Sequence, residues 1–475
     1  MSSSSSSISS SSKPLVALIG TLDTKQAEYQ FATSYLEKHG CNVVVLDAST
    51  KSPLRGPSDF RLGPTSQLVR PQELLKARVD SDTRERSAVR EALRKACLSH
   101  LAQLQKDGVL NAIASLGGSQ NTAFATSIMR DATFPIGLPK FMLTTMASGD
   151  MSEYLGEGDI CIMPSIGDIS GSLNKITLTT LQSALAAISG MAHARLDSEQ
   201  EKKQPSAQQQ DHKPMIAISM FGVTTVAVNQ ISDILKEKGF EPVAFHCTGS
   251  GGRSMERLIR EGFFAAVVDL TTTEICDHLY GGVLSAGPDR LTAAAEMGVP
   301  QVVSVGALDM INFGSLSSLP SKYRLQEGEG PMHRTDKGTP VYEHNSQVTL
   351  VRTSAEQCEE LGKFLVSQLV KGSQRLGNGR TAAPITIIFP AVGISAMDGE
   401  DGVWDDSGAR SALLAGMKAA LAKHLQGRQE SDFHIIEFNL HINSPEFARK
   451  VADMAGRIAQ QCECTNKQNT NLHDS

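Results

Sequence analysis

Short apolar runs alternate with longer amphipathic segments along most of the chain, and the alternation is written twice. The first copy begins with the apolar run 17–21, passes through a polar turn and a helical stretch to Gly40, and continues with the run 43–46. The second copy begins at 216–220, reaches Gly239 and continues with 242–245. Strand, polar turn, helix, glycine and strand in this order are typical of the βαβ unit. The pattern therefore predicts two α/β sheets with mainly parallel strands.

The two copies stay in step further along the chain. The runs 111–116 and 139–145 of the first copy match 265–270 and 300–305 of the second. An amphipathic helix is predicted around 87–104. Two more strands, 385–389 and 435–440, are predicted to flank a helix at 409–425. Each copy is thus long enough to form its own domain.

Polar segments set the domain boundaries. A serine-rich start, 1–13, and a polar end, 465–475, predict disordered tails. Between the copies, 197–213 lacks an apolar pattern and predicts a linker. The predicted domains are 14–196 and 214–464. Irregular stretches, 52–82 and 315–342, interrupt them.

The amino-acid composition limits the classes of binding partner and the cellular compartment that the sequence favours. The chain has 475 residues, 40% of them apolar and 20% charged, a net charge of -6 and a pI near 6.1. This balance argues against nucleic acid as a partner, and the one Trp leaves little for base stacking. No run is apolar enough to predict a membrane span or a signal peptide. Eight scattered cysteines without zinc spacing favour a reducing cytoplasmic compartment.

Polar turns follow the predicted strands, and in open α/β sheets ligands bind beyond the carboxyl ends of the strands. In the first copy these turns are GTLDTK at 20–25 and GGSQNT at 117–122. Backbone amides at a helix start, with Lys25 and hydroxyls beside them, favour a phosphate. The alternative is an ordinary helix cap with an exposed lysine.

In the second copy the turn after the strand at 242–245 is the strongest candidate anion site. Glycines, hydroxyls, an arginine and a helix start converge there, in Thr248, Gly249, Ser250, Gly251, Gly252 and Arg253. Titratable residues also end the neighbouring strands, namely His246, Glu274, Asp277, Asp309 and His441. Such a group could bind a metal or transfer protons, or could merely cap helices and pack. We take His246, Glu274 and Asp309 as the candidate catalytic residues, with His246 and Glu274 as an acid–base pair.

Longer motifs resemble a known family. They are MFGVTT at 220–225, FHCTGSGGR at 245–253, DLTTTE at 269–274, GGVLSAGPDRL at 281–291 and HINSPEF at 441–447, with GTLDTK at 20–25 and MPSIGDI at 163–169. Together they resemble the family of largely uncharacterised bacterial, fungal and plant proteins that includes the ATP-binding N-terminal domain of the tomato mosaic virus resistance protein. The resemblance runs from about residue 14 to residue 448.

The resemblance implies two Rossmann-like domains, a homodimer, and ATP with magnesium held chiefly by the first domain. By motif, it assigns the nucleotide role to Thr21, Asp23, Lys25, Thr50, Arg86, Gly117, Gly118, Ser119, Gln120, Asn121, Thr122, Thr145, Met146, Ala147 and Ser148. It implies no metal ligands by number. The plant relative binds a viral replication protein, and that role is not transferred here.

One departure from the family pattern bears on the site. The family turn reads Gly-Gly-Ser-Gly-Gly-Thr, whereas this chain has Gln120 and Asn121 in place of the second pair of glycines. The added side chains are expected to crowd the path of a phosphate and to weaken ATP binding.

The sequence is compatible with three functions. The leading one is an ATP-binding two-domain protein. The second is an enzyme of hydrolase or lyase type, acting on a phosphorylated or carboxylated small molecule. The third is a protein-binding regulator without turnover, whose partner the sequence does not identify.

Overall fold

The computed structural model of the protein describes residues 12–50, 60–70, 83–169, 173–203, 213–326, 330–377, 380–400, 402–425 and 433–473. The chain divides into two compact units, Met1–Gln210 and Asp211–Ser475, and the division falls within the predicted linker. Residues 1–11 of the predicted serine-rich tail, and 52–59 and 71–82 of the first irregular stretch, lie outside the described residues.

The first unit alternates strands and helices from its first described strand. Its elements are, in chain order, β1 (Leu15–Gly20), α1 (Leu22–Lys38), β2 (Asn42–Asp47), β3 (Gln67–Val69), α2 (Thr83–Lys106), β4 (Leu110–Gly117), α3 (Ser119–Met129), β5 (Lys140–Thr144), α4 (Ser152–Leu155), β6 (Ile160–Pro164) and α5 (Lys175–Lys203).

The first sheet has the strand order β3-β2-β1-β4-β5-β6, with all neighbours parallel. This is the order of a Rossmann fold, and it reverses direction between β1 and β4. Alternate residues of β1 pack on opposite faces of the sheet: Ala17 and Ile19 against α2 and α3, Val16 and Leu18 against α1 and α5. Because both faces are covered, the strands are apolar throughout, which explains why the sequence shows continuous apolar runs here.

The second unit begins with the same alternation and then adds a small sheet. Its elements are, in chain order, β7 (Met215–Met220), α6 (Thr225–Glu237), β8 (Glu241–His246), α7 (Ser250–Arg260), β9 (Ala266–Thr271), α8 (Glu274–Tyr280), α9 (Ala293–Met297), β10 (Gln301–Gly306), β11 (Met310–Phe313), β12 (Met332–Arg334), β13 (Pro340–Asn345), β14 (Val348–Arg352), α10 (Ala355–Gln374), β15 (Ile385–Pro390), α11 (Ser407–Leu425), β16 (Phe433–Phe438) and α12 (Pro445–His473). Single 3-10 turns occupy Gly222–Thr224, Leu316–Ser318 and Ser321–Tyr323.

The second parallel sheet has the order β16-β15-β10-β9-β7-β8, which reverses direction between β7 and β9. Helices α6 and α12 pack on one face, where Ile216 and Ile218 meet Val228 and Phe447. The predicted α/β class with two Rossmann-like sheets is therefore confirmed. The sequence did not predict the antiparallel sheet β11-β14-β13-β12, part of which lies in the irregular stretch 315–342.

Two helices extend beyond their predicted limits. Helix α5 continues to Lys203 and so covers the first positions of the predicted linker. Helix α12 continues to His473 and so runs through most of the predicted tail 465–475. Extending a formed helix adds one hydrogen bond for each residue fixed, so a polar segment can continue it without its own apolar face. Within the described ranges, no helix is long and apolar enough to cross a membrane.

Candidate functional site

A cavity of about 300 Å³ opens in the first unit where the strand order reverses. The turn after β1 and the turn after β4 form its walls, and the segment after β2 closes one side. Its lining residues are Thr21, Thr24, Lys25, Ala48, Thr50, Arg90, Gly118, Ser119, Gln120, Asn121 and Phe124. Parallel β/α proteins bind ligands at such a reversal because neighbouring helices leave in opposite directions and open a crevice.

The lining is positive and rich in hydroxyl groups. Lys25 and Arg90 supply two cations, and the lining residues include no Asp or Glu. Helix α3 begins at Ser119, and its N-cap residue Gly118 makes no side-chain cap hydrogen bond. The first amides of this helix, with the positive end of its dipole, therefore lie at the cavity without a capping side chain. An anion is the ligand that these groups favour.

The start of α1 is capped from within the unit. Asp47 Oδ1 accepts the Leu22 amide at 3.1 Å, and Ser49 Oγ accepts the Asp23 amide at 3.0 Å. Burial raises the pKa of Asp47. Two of the amides that sequence reasoning offered to a phosphate are thus engaged by residues at the end of β2. What α1 brings to the cavity is the side chain of Lys25, whose Nζ donates to the Ile169 carbonyl at 2.5 Å.

The two residues that replace family glycines behave differently. Asn121 is buried, and its Nδ2 donates to Ser115 Oγ at 2.9 Å and to the Leu116 carbonyl at 2.8 Å. Its Nδ2 is therefore engaged beneath the turn, whereas Asn121 still lines the cavity and its Oδ1 has no hydrogen-bond partner, so the expected crowding of a phosphate stays a prediction. Gln120 is exposed, and its Oε1 accepts a hydrogen bond from Arg90 Nη2 at 3.2 Å.

Other residues assigned to the nucleotide are not among the residues that line the cavity. Thr122 is buried and its Oγ1 lies 2.6 Å from Thr144 Oγ1. The Thr145 amide donates to the Gly117 carbonyl at 3.2 Å, which ties the turns after β4 and β5 together. The remaining members of this group are Asp23, Met146, Ala147 and Ser148. Arg86 lies in α2, but its side chain is outside the described residues.

Sequence reasoning missed Arg90, the second cation of the cavity. Arg90 is four residues after Arg86 in α2, and residues at this spacing share one face of a helix. The spacing was visible in the sequence. The register of α2 against the turn after β4, which brings Arg90 to Gln120, was not.

In the second unit the corresponding reversal, between β7 and β9, is filled by the side chain of Arg290. This arginine is 1% exposed. Its Nη1 and Nη2 each lie within 2.7 Å of an Asp269 oxygen, and its Nε donates to Glu274 Oε2 at 2.7 Å. Glu256 Oε1 is 3.4 Å from Nη1. One guanidinium thus contacts carboxylates from β9, α8 and α7, and Arg260 adds a second positive charge beside Glu256.

The predicted anion-binding turn already holds a carboxylate of the protein. Glu274 Oε1 accepts the Gly249 amide at 2.7 Å and the Gly252 amide at 3.1 Å. A Cβ atom at Gly252 would lie 1.9 Å from Glu274 Oε2, so glycine is required there by this carboxylate. The prediction that the turn from Thr248 to Arg253 binds an external anion is therefore corrected. The glycines and the helix start are present as predicted, but the anion that their amides bind is the Glu274 carboxylate of the protein itself.

The predicted acid–base pair is also corrected. Glu274 is fully buried with both oxygens engaged, whereas His246 is exposed at the end of the edge strand β8 and packs against the Phe221 ring at 5.7 Å. Two amides and a guanidinium enclose the Glu274 carboxylate, so a substrate has no access to it. The pair therefore lacks the open position that catalysis needs.

Asp309 is also buried, and its carboxylate accepts hydrogen bonds from side chains of the protein. Its Oδ2 accepts Ser395 Oγ at 2.8 Å and Trp404 Nε1 at 2.9 Å. Asp398, nearby, pairs with Arg410 at 2.8 Å and Arg352 at 3.4 Å. Burial and the neighbouring Asp309 carboxylate raise the pKa of Asp398 to about 6. These contacts join the segments after β10, β14 and β15.

The other two titratable candidates, His441 and Asp277, form hydrogen bonds with the backbone. His441 Nε2 lies 3.0 Å from the carbonyls of Ser395 and Asp398, so it fixes a loop. Asp277 accepts the amides of Leu284 at 2.7 Å and Asn312 at 2.8 Å, and burial raises its pKa to about 7. Among the described residues, no cluster of three or more His, Cys, Asp or Glu side chains could hold a metal ion.

Solved structures give only distant matches. MurG of Acinetobacter baumannii is 11% identical, with 94% of this chain and 99% of that chain covered and a TM-score of 0.23. UDP-GlcNAc 2-epimerase of Neisseria meningitidis is 11% identical over 61% of this chain and 82% of its own, with a TM-score of 0.22. TM-scores of this size support no statement about ligand or activity.

Sequence relatives are much nearer. A UPF0261 protein of Clostridium tetani is 35% identical, covering 92% of this chain and 97% of its own length. A UPF0261 protein of Mesorhizobium japonicum is 36% identical with the same coverage. The tomato ToMV resistance protein Tm-1(GCR237) is 30% identical over 98% of this chain, which spans 59% of the tomato protein.

The family models agree with these relatives and with the resemblance inferred from the motifs. The N-terminal domain of the uncharacterised protein family UPF0261 matches residues 14–197, and its C-terminal domain matches residues 213–459. The chain therefore belongs to the UPF0261 family.

Proposed function

We propose that the first unit binds a nucleotide, with ATP as the leading candidate, through phosphates seated in the cavity between the turns after β1 and β4. The observation that carries the proposal is the cavity itself. It lies at the reversal of the strand order, combines Lys25 and Arg90 with the uncapped start of α3, and has no carboxylate among its lining residues.

The charges and donors suit a phosphate chain. Lys25 has three N–H donors, one of which is engaged by the Ile169 carbonyl, so two remain for a ligand. Arg90 presents its guanidinium from the opposite wall. Hydroxyl groups of Thr21, Thr24 and Ser119 add further donors. Hydrogen bonds between ionised groups are about twice as strong as neutral ones, so a phosphate would be favoured over an uncharged ligand.

Asp23 lies in the first turn of α1, outside the residues that line the cavity, and offers a carboxylate for magnesium beside it. Asp23 Oδ1 is buried and has no hydrogen-bond partner, so it is an unsatisfied acceptor in the first turn of α1. A carboxylate oxygen is a preferred ligand of Mg²⁺, which in nucleotide sites takes its other ligands from phosphates and water. Asp23 would hold the ion, and bound magnesium would neutralise part of the phosphate charge. Lys25 and Arg90 would orient the phosphates.

The proposal concerns binding without assigned turnover. The lining residues include no His, Asp or Glu to accept a proton from an attacking water. For the alternative enzyme at the second unit, Glu274 is buried and engaged by the protein while His246 is exposed, so the two do not support an acid–base pair. A homodimer and a cytoplasmic location belong to the proposal through the family resemblance, and the described cysteines, which are free thiols, agree with a reducing compartment. Light scattering during size exclusion would test the dimer.

Isothermal titration calorimetry on the full chain tests nucleotide binding. Mg-ATP is expected to bind, and Lys25→Ala is expected to weaken it roughly ten- to hundredfold, because a charge-assisted hydrogen bond is lost. Lys95→Ala is the matched control, since that side chain is 71% exposed on α2. Absence of Mg-ATP binding at millimolar concentration, or equal affinity of Lys25→Ala and wild type, would contradict the proposal.

A further inference from the structure

Beneath the cavity, one buried hydroxyl group touches both strands whose turns form its walls. Tyr29 of α1 is fully buried. Its Oη lies 2.5 Å from the Ile19 carbonyl in β1 and 3.0 Å from the Leu116 carbonyl in β4. It also accepts the Leu116 amide at 3.2 Å. Burial raises the pKa of Tyr29, so the group stays a neutral hydroxyl that both donates and accepts.

The turns are shaped around this side chain. A Cβ atom at Gly20 would lie 1.9 Å from Tyr29 Cζ, so the turn after β1 passes directly over the ring. On the other side, Asn121 Nδ2 donates to Tyr29 Oη at 3.3 Å and to Ser115 Oγ at 2.9 Å. Ser115 Oγ in turn donates to the Ile19 carbonyl at 2.7 Å. These contacts form a closed set of hydrogen bonds between the ends of β1 and β4.

From this arrangement we propose that Tyr29, with Asn121 as its partner, is a positioning residue for the ligand site. The hydroxyl fixes the turn after β1 against the turn after β4, and so sets the distance between Lys25 and the start of α3. This inference rests on the proposed function for its ligand. It assigns Asn121 the opposite role to the one the sequence suggested: the amide braces the turn on which the phosphate would rest, and it is not an obstacle.

Moving the turns would break several buried hydrogen bonds at once. Buried carbonyls and amides that lose their partners are costly to leave unpaired, so the turns can shift only if several hydrogen bonds break together. A binding site gains affinity when its donors are held in place before the ligand arrives. Removing the hydroxyl while keeping the ring should therefore loosen the turns without emptying the core.

The test is Tyr29→Phe in the full chain, with Tyr35→Phe as the control. Tyr35 is half-buried on the same helix, where its ring stacks on His39 at 4.0 Å. Mg-ATP affinity is expected to fall roughly five- to tenfold for Tyr29→Phe and to stay within about twofold for the control. Asn121→Gly, which restores the family residue, is expected to weaken binding as well. A gain of affinity in Asn121→Gly, or wild-type affinity in Tyr29→Phe, would overturn the inference.

Hydrogen exchange separates this inference from the proposed function. In Tyr29→Phe without nucleotide, amides of 117–122 should exchange at least about tenfold faster, while those in the middle of β4 stay protected. If wild type binds no nucleotide, the proposed function fails, and the positioning role is still decided by this exchange. Unchanged exchange in the turn overturns it. Should Tyr29→Phe not fold, Ser115→Ala removes one member of the same hydrogen-bonded set and is held to the same outcomes.

Discussion

The two units start from the same βαβ plan and differ in what occupies the point where the strand order reverses. In the first unit this point is an open cavity with Lys25 and Arg90 in its lining. In the second it is filled by Arg290, which binds Asp269 and Glu274 of its own unit. Glycine-rich turns and helix starts are present in both. Such features mark a place that can receive an anion, and they do not show whether the anion is a ligand or a side chain.

The difference comes from segments that enter the carboxyl edge of the second sheet. Arg290 arrives on the loop between α8 and α9, Arg352 on the small antiparallel sheet and Arg410 on α11. Arg290 meets Asp269 within β9, and Arg352 and Arg410 both meet Asp398 in the segment between β15 and α11. Buried charges are stable only when paired and hydrogen-bonded, so these arginines convert a possible active site into a polar interior.

The largest expected effect comes from removing the Arg290 guanidinium, which fills the point where the strand order reverses in the second unit. Arg290→Met should lower the free energy of unfolding by about 3–5 kcal/mol, because Asp269 and Glu274 would stay buried without a counter-charge. Urea denaturation measures it. Arg375→Ala is the control, since that side chain is 48% exposed and should cost at most about 1 kcal/mol. A loss below 1 kcal/mol for Arg290→Met would mean that the network does not hold the unit together.

The next effect tests the built-in anion directly. Glu274→Ala should lower the free energy of unfolding by about 2–3 kcal/mol, because the Gly249 and Gly252 amides and Arg290 Nε lose their acceptor. Acetate or formate should restore part of the loss by binding in its place, whereas sodium chloride at equal ionic strength should not. Wild type should show no such difference between the salts. Equal response of variant and wild type to acetate would count against a carboxylate site at this turn.

A smaller effect is expected from pH. Asp277 and Asp398 have folded-state pKa values of about 7 and about 6, above the usual 3.8, so the folded state keeps protons that the unfolded chain releases. Their stabilising contribution is complete below about pH 4 and is lost as pH rises through 6 and 7. Carboxyls with lowered pKa, such as Asp289 and Glu296, titrate mostly below pH 4.5 and offset little of it, so the net loss should be at least about 1–2 kcal/mol. Thermal unfolding between pH 4.5 and 8 should show this decline, and Asp277→Asn should flatten it. A steady rise in stability over that range would be the contrary result.

The smallest effect concerns the open cavity. Arg90→Ala should weaken Mg-ATP binding by about 0.5–1.5 kcal/mol. The effect is small because the guanidinium also donates a hydrogen bond to Gln120. Arg94→Ala, one turn later and paired with Glu91, is the control. Calorimetry decides between them. Equal effects of the two substitutions would remove Arg90 from the site.

Much of the fold could be predicted from local pattern. The apolar runs of β1, β4, β9 and β10 are continuous because both sheet faces are covered, and the polar turns after them follow from the parallel topology. The small antiparallel sheet was missed because its strands are short and lie partly in a stretch rich in Gly, Ser and Pro. Helices α5 and α12 extend through polar segments that carry no apolar period.

The candidate site could be predicted only in part. Lys25 and the turn after β4 were found because glycines and a lysine beside a strand end are visible in the sequence. Arg90 was missed because its approach depends on the register of a helix. Glu274 was taken as a catalytic residue because the sequence does not distinguish a buried structural carboxylate from a catalytic one. The distinction depends on the positions of Arg290 and the Gly249 amide, which only the structure gives.

Hydrogen exchange of the full chain with and without Mg-ATP tests the central claim most directly, since it reports on both reversals in one experiment. The account predicts slower exchange of the amides at 118–122 when the nucleotide is bound, and no change at 249–253, where Glu274 already accepts the Gly249 and Gly252 amides. Protection of 249–253, or unchanged exchange at 118–122 under saturating nucleotide, would contradict it.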